Sequence, residues 1–481
     1  MLAHGDPNLK RSSALVRYGG FFLSVGTARV AGLLITSITF PVLVRRLGVE
    51  TYGLWSYVVA LCAFFDVVAN PGLSTYTVQQ VAARRHAAAD LVPDFLALRL
   101  LSCMVAIAVL MVVASFEVRP DVRRLLYWYG AGQILIGLTG ADFLLNALEL
   151  FHVRSLLTLI QQALYAMGVL LLVRTPHDIP WLPVSILGSA LLTNLAGWVV
   201  LWHNGFRPPL AINPGHWRAM LVPSFHYAAT SLMGTVYHRT GHIVVRWFLG
   251  DYALGLYAAA VRFVDLLRNF VGIAFSVLMP RIALSAQSPS GLRRLVQAAI
   301  SAMAIISIPL TLGTLTTAHL VVPWVLGANY AAAVGPVRWT SGFLLAAPVA
   351  SLLSGTVLYA LGRHRACLIS AAAGAVAAVV LALVLIHFFG LPGGCVAFVL
   401  AEATVGVTAY LLIPVELRDL WKNPIILVAG FSALLMVGAI RLTNSYTARP
   451  LVVVSAGAVV YMIALIVLGR KMLMQQFGDA R

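Results

Sequence analysis

Six arginines lie within or at the edge of long apolar runs: Arg29, Arg239, Arg246, Arg262, Arg268 and Arg338. A guanidinium at the centre of a membrane helix costs roughly 2.5–3.5 kcal/mol on insertion scales, so several in one chain call for partners or a wet cavity. In the run 220–248, Arg239, His242 and Arg246 follow i, i+3, i+7 spacing and share one helical face. In the run 253–279, Arg262, Asp265 and Arg268 stand three apart. Asp265 can neutralise one of its two neighbours as structural glue, but not both. The surplus is positive, and guanidinium groups in such a place suit an anionic group such as a pyrophosphate. Arg29, Arg239, Arg262 and Arg268 are the primary candidates, with His242 and Arg246 as secondary members. Arg246 and Arg338 lie near the ends of their runs, where snorkelling to the headgroups is the plainer reading.

The acidic residues admit two readings. Asp142, Asn146 and Glu149 follow i, i+4, i+7 spacing, Asp66 and Asn70 are four apart, and Glu402 stands alone in its run. Asp66, Asp142 and Glu402 are candidates for coupling to an ion, H+ or Na+; pairing with the arginines is the commoner fate of such groups. His238 and His242 could relay protons. They also make half a metal site, but no third ligand is in view and no metal is expected. No Walker A pattern occurs, so no ATP site or other cofactor is implied.

These residues must be held by membrane helices. Of 481 residues, 60% are hydrophobic and 10% charged, where a soluble domain carries roughly a quarter charged. The stretch 366–389 after Arg365 has no acidic, lysine or arginine residue, and about 20 apolar residues suffice to cross ~30 Å of hydrocarbon. Apolar blocks read against Gly, Pro and charge predict about fourteen spans: 18–44, 52–70, 94–115, 124–147, 154–173, 180–202, 220–248, 253–279, 292–315, 334–360, 366–389, 392–415, 424–442 and 450–469. Residues 316–335 are the stretch open to a re-entrant or interfacial reading.

Charge supports this topology. With the N-terminus in the cytoplasm, 19 basic residues fall on inner loops, Arg84, Arg85 and Arg99 among them, and 8 on outer loops, including Arg45 and Arg46. Both termini are then cytoplasmic. The net charge of +17 is spread over short loops rather than gathered on one helix or tail, so nucleic acid is not the expected partner. The block after residue 17 contains Arg29 and no A-x-A cleavage pattern, and reads as a retained first span. The four cysteines lie in apolar stretches without metal spacing.

The chain also repeats. Arg46-Leu47-Gly48 with Gly53-Leu54-Trp55 closes the first span, and Phe248-Leu249-Gly250 with Gly255-Leu256-Tyr257 closes the seventh, 202 residues later. Repeated halves with a substrate site between them are a common transporter plan. The expected division is 1–215, 216–418 and 419–481.

Phe40–Trp55 (F-P-V-L-V-R-R-L-G-V-E-T-Y-G-L-W) resembles the first-span signature of Wzx-type polysaccharide flippases. Asp66–Leu73 is similar to the family's next motif, though looser than its usual D-x-G-L. Ile243–Arg281 resembles its seventh and eighth spans, and Val325–Tyr330 (V-L-G-A-N-Y) its late G-x-x-Y turn. The resemblance implies the multidrug/oligosaccharidyl-lipid/polysaccharide exporter fold: all-α, two six-helix lobes in a V around a central cavity, plus two C-terminal helices. It implies transport of undecaprenyl-pyrophosphate-linked oligosaccharide across the bacterial inner membrane for O-antigen, capsule or exopolysaccharide synthesis. Arginines of the first, seventh and eighth spans then face the cavity, and membrane lipids and polysaccharide polymerase machinery are the implied partners. A cation-coupled drug antiporter of the multidrug and toxin extrusion type is the nearer alternative, but it would place carboxylates rather than surplus arginine in the cavity. A membrane polymerase or ligase would need a large extramembrane loop, for which the connections 83–93 and 203–217 leave no room.

Overall fold

The computed structural model describes the backbone of residues 7–83, 88–206, 212–285 and 289–478, and side chains over 26–81, 91–206, 212–272 and 291–470. Arg84, Arg85 and Arg207 lie outside the described residues, as do the side chains of Lys10, Arg11, Arg17, Arg281 and Lys471.

Among the described residues every regular element is helical. Apolar side chains such as Leu192, Leu195 and Val199 on one helix are more than half exposed. A soluble monomer does not leave so much apolar surface in water, whereas a bilayer covers it. Nine helices among the described residues are long and apolar enough to span a membrane, or ten counting one bent pair. The sequence count of fourteen differs for a structural reason. Helices α1 (Pro7–Ala69), α9 (Trp217–Ser285) and α13 (His364–Leu412) each run through a glycine in non-helical conformation, Gly48, Gly250 and Gly390 respectively. The stretch 120–147 is instead split into α4 (Pro120–Leu125), a π turn (Leu126–Gly130), α5 (Ala131–Leu138) and α6 (Asp142–Ala147). Residues 316–326 continue α10 (Pro289–Leu326) as regular helix, and a 3-10 turn (Ala328–Ala333) follows and opens the bent pair.

The chain packs as two units: residues up to Leu43 with Phe65–Ala229, and Val44–Phe64 with Thr230 onward. The first contains α2 (Leu73–Ala83), α3 (Ala88–Ser115), α7 (Phe151–Leu172) and α8 (Trp181–His203) besides α4–α6. Its core gathers Leu73, Phe95, Phe143, Leu144, Leu201 and Met220, with the rings of Phe95 and Phe143 4.2 Å apart. Asp94, fully buried, accepts the Asn213 backbone N–H at 2.7 Å and lies 3.1 Å from His216, which ties the 213–216 turn to α3.

In the second unit, α10 packs with α15 (Pro424–Tyr446), with α16 (Pro450–Gly478) and with the bent pair α11 (Val334–Thr340) and α12 (Phe343–Leu352), which in turn packs with α13. The Tyr461 hydroxyl of α16 donates to the Ile305 carbonyl of α10 at 2.7 Å. The final helix pair therefore belongs to this packing.

The repeated turns meet within this second unit. Gly48 (φ 73°, ψ 174°) and Gly250 (φ 83°, ψ −179°) adopt the same backbone conformation, one that is open essentially to glycine alone. A Cβ at Gly53 would overlap the Asp251 carbonyl oxygen, and a Cβ at Gly255 would overlap the Val49 carbonyl oxygen. Val49 and Asp251 are themselves 202 positions apart, so the two contacts are equivalent copies of each other. The two turns clasp backbone to backbone, and only glycine permits so close an approach.

Candidate functional site

The arginine cluster is built by α9, which resumes after Gly250 and carries Arg262, Asp265 and Arg268 at three-residue spacing. Asp265 serves both arginines: its Oδ1 lies 2.9 Å from Arg268 and its Oδ2 3.5 Å from Arg262 Nη1. One carboxylate thus stands between two guanidinium groups. Arg262 is exposed and Arg268 half-buried, so both keep donors toward open space. Arg268 also lies over the Phe343 ring, 5.8 Å from its centroid. Arg239, on the half of α9 before Gly250, is half-buried, and Tyr52 lies in the electrostatic field of both Arg239 and Arg262. Glu402 of α13 is buried within the electrostatic field of Arg268 and Asp265, with Oε2 without a hydrogen-bond partner among the described residues.

The other sequence candidates are placed differently. Arg246 is held by protein partners: its Nε donates to Asp251 at 2.7 Å, and its guanidinium stacks 3.9 Å from the Tyr57 ring centroid. It braces the clasp between the turns. His242 is buried edge-on against Tyr257, with ring centroids 5.2 Å apart. Arg338 is exposed. Arg29 is exposed on α1 in the first unit. Glu149 does not share a helical face with Asp142 and Asn146. Helix α6 ends at Ala147, and Glu149 adopts φ 61°, which makes it the one non-glycine with positive φ among the described residues. Among those residues no cluster of three metal-ligating side chains occurs.

Spacing missed Arg99. Counted as an inner-loop charge, it lies inside the span 91–115 and is half-buried. It donates to Ser74 Oγ at 2.6 Å and shares its surroundings with Asp66, which is hydrogen-bonded to Gln133. The motif Asp66–Leu73 explains the placement. Asn70 caps α2 by accepting the Ser74 N–H at 3.2 Å, Gly72 (φ 74°) turns the chain tightly past the Ser224 carbonyl, and α2 then presents Ser74 and Gln79. These residues wall a cavity of about 660 Å³ inside the first unit, together with Arg99, Gln133, Asp142, Asn146, Gln161 and Asn194. The signal that could have found it was a charge within a predicted span, paired with an aspartate in the preceding one.

Two of the motifs behind the family resemblance meet in space within the second unit. Arg45 donates to the Trp324 and Val325 carbonyls at the C-terminus of α10, Nε to the latter at 3.0 Å, which places a cation where orphan carbonyls collect. Gly327 (φ 98°) then turns the chain, and buried Tyr330 donates its hydroxyl to the Gly48 carbonyl at 3.0 Å. The first-span R-R-L-G and the late V-L-G-A-N-Y are therefore two sides of one joint.

Comparison with known proteins agrees with this architecture. The solved structure of the lipid II flippase MurJ in an inward closed conformation is similar over 94% of this chain and 99% of its own, at TM-score 0.76 and 14% identity. An inward-facing multidrug resistance MATE family transporter of the MOP superfamily matches over 83% of this chain and 99% of its own, at TM-score 0.64 and 13% identity. A MOP superfamily transporter from Pyrococcus furiosus, described as having a binding pocket of reverse polarity, matches over 84% and 96% at TM-score 0.56 and 14% identity. At such identities the likeness is one of fold. No curated protein sequence matches the chain. The family model of polysaccharide biosynthesis proteins matches residues 19–286, more than half of the chain. The chain is a multi-pass membrane protein with the MOP transporter fold, and it belongs to the polysaccharide biosynthesis protein family.

Proposed function

We propose that this protein flips an undecaprenyl-pyrophosphate-linked oligosaccharide from the cytoplasmic to the periplasmic leaflet of a bacterial inner membrane, for assembly of a surface polysaccharide. The observation that carries the reading is the sharing of Asp265 by Arg262 and Arg268 within a membrane-spanning helix. Two guanidinium groups on one carboxylate leave positive charge for a ligand, and a pyrophosphate can take up both forks. Arg239, on the same helix, extends this set, and Arg29 is proposed as a further pyrophosphate ligand. Cationic drugs, the cargo of the antiporter alternative, would meet repulsion there.

In this mechanism the headgroup enters from the cytoplasm, its pyrophosphate displaces Asp265 from one of the arginines, and the lipid tail stays in the bilayer. A change of access then releases it on the opposite side. A coupling ion, H+ or Na+, resets the cycle at a carboxylate. Glu402, in the electrostatic field of Arg268 and Asp265, is the first choice, with Asp66 and Asp142 as the others.

The test is deletion of the gene followed by lipid analysis with sidedness. Lipid-linked oligosaccharide is expected to accumulate on the cytoplasmic leaflet, and Arg262→Ala or Arg29→Ala is expected to fail to restore export. Normal export after deletion, in a strain with no second flippase, would overturn the proposal.

A further inference from the structure

We infer that the cavity of the first unit is a saccharide site that reads the uncharged hydroxyls of the transported glycan. This rests on the function proposed above and adds a place for the sugars. Its volume of about 660 Å³ falls within the roughly 300–1,000 Å³ of small-molecule sites. Its polar lining is mostly side-chain amides and hydroxyls, set among apolar side chains, and it holds one guanidinium, Arg99, and one carboxylate, Asp142. Asp66, beside Arg99, offsets that guanidinium. A phosphate would face Asp142 and a cation would face Arg99, so neither charge sign suits the cavity as a whole.

A polyhydroxyl ligand does. Each hydroxyl both donates and accepts, as does each amide, and a carboxylate accepts from hydroxyls without being neutralised. Several lining groups are already held in place. Gln79 accepts from the Tyr227 hydroxyl at 2.6 Å, Ser74 accepts from Arg99, and Asn194 Nδ2 donates to the Ile136 carbonyl at 3.2 Å. Others keep their capacity: the side chains of Asn146 and Gln161 are half-buried and make no hydrogen bond to a described residue. Arg99 Nε is buried with no acceptor among the described residues. Fixed and uncommitted polar groups around one polar void are the arrangement that orients a ligand rather than merely filling a core.

The test uses purified full-length protein in nanodiscs with two probes. One is undecaprenyl pyrophosphate without sugar; the other is the lipid-linked oligosaccharide extracted from cells lacking the transporter. Wild type is expected to bind the glycan-bearing lipid more tightly than the bare one. Asn146→Ala and Gln161→Ala are expected to weaken the glycan-bearing lipid by about tenfold, a loss of ~1.4 kcal/mol, and to leave the bare lipid unchanged. Arg262→Ala is expected to weaken both. The near-isosteric N146D and Q161E, with melting temperatures checked against wild type, guard against a folding defect and are expected to act in the same direction. Equal wild-type binding of the two lipids, or cavity variants that bind both as wild type does, overturns the saccharide site while the flippase reading stands. Cavity variants that lose both lipids equally also overturn it. Binding of neither lipid by wild type overturns both readings.

Discussion

At the scale of the residue, the decisive fact is that Asp265 contacts two arginines but carries charge to neutralise only one. Arg268→Lys keeps the charge but loses the planar fork, and the same holds for Arg262→Lys. Export in a complemented deletion strain is expected to fall for both lysine variants and further for the alanine variants; lysine variants that export at the wild-type rate would reduce the site to a point charge. Removal of the carboxylate acts in the opposite sense. Asp265→Asn leaves two guanidinium groups without their shared partner. Since these groups are only partly buried, the expected cost is about 1 kcal/mol rather than that of a fully buried pair. It is read as a lower melting temperature of the purified protein, accompanied by tighter retention of pyrophosphate lipid.

At the scale of the element, the two glycine turns and the cap on α10 hold the second unit together. Gly53→Ala and Gly255→Ala each push a Cβ into a backbone carbonyl, and overpacking of this kind costs roughly 1–3 kcal/mol. Because both act on one clasp, the double variant is expected to lose less than the sum of the singles, a departure from additivity that thermal melts of the four proteins measure. Strict additivity would mean that the turns do not grip each other. Tyr330→Phe removes one hydrogen bond, from a fully buried hydroxyl-bearing ring to the Gly48 carbonyl. A loss of about 1 kcal/mol is expected, and a variant as stable as wild type would deny that bond any part in the joint. The repeat was readable in the sequence as two matching Gly-bracketed turns. That the copies touch was not, because nothing in either string states which carbonyl lies beside which glycine.

At the scale of the whole molecule, the exposed apolar side chains of the helices set the solvent. The protein is expected to stay in the membrane pellet through high-salt and alkaline washes and to leave it only with detergent. Release by salt would mean that its positive charge, rather than its apolar surface, holds it there.

Composition and period were enough to establish an all-helical membrane protein with arginine inside it, since the cost of moving apolar surface into water and charge into lipid is local to each segment. They also marked the glycines at which long helices break, because a positive φ of that kind admits little else. Partner choice was decided only in three dimensions. Asp265 accepts both of its arginines, Arg246 turns to Asp251, Glu149 leaves the helical face its spacing implied, and Arg99 enters a cavity walled by α2, the π turn, α5, α6, α7 and α8. Charges in a low-dielectric setting pair with whatever the packing brings within a few ångströms, and that distance is a property of the tertiary structure alone.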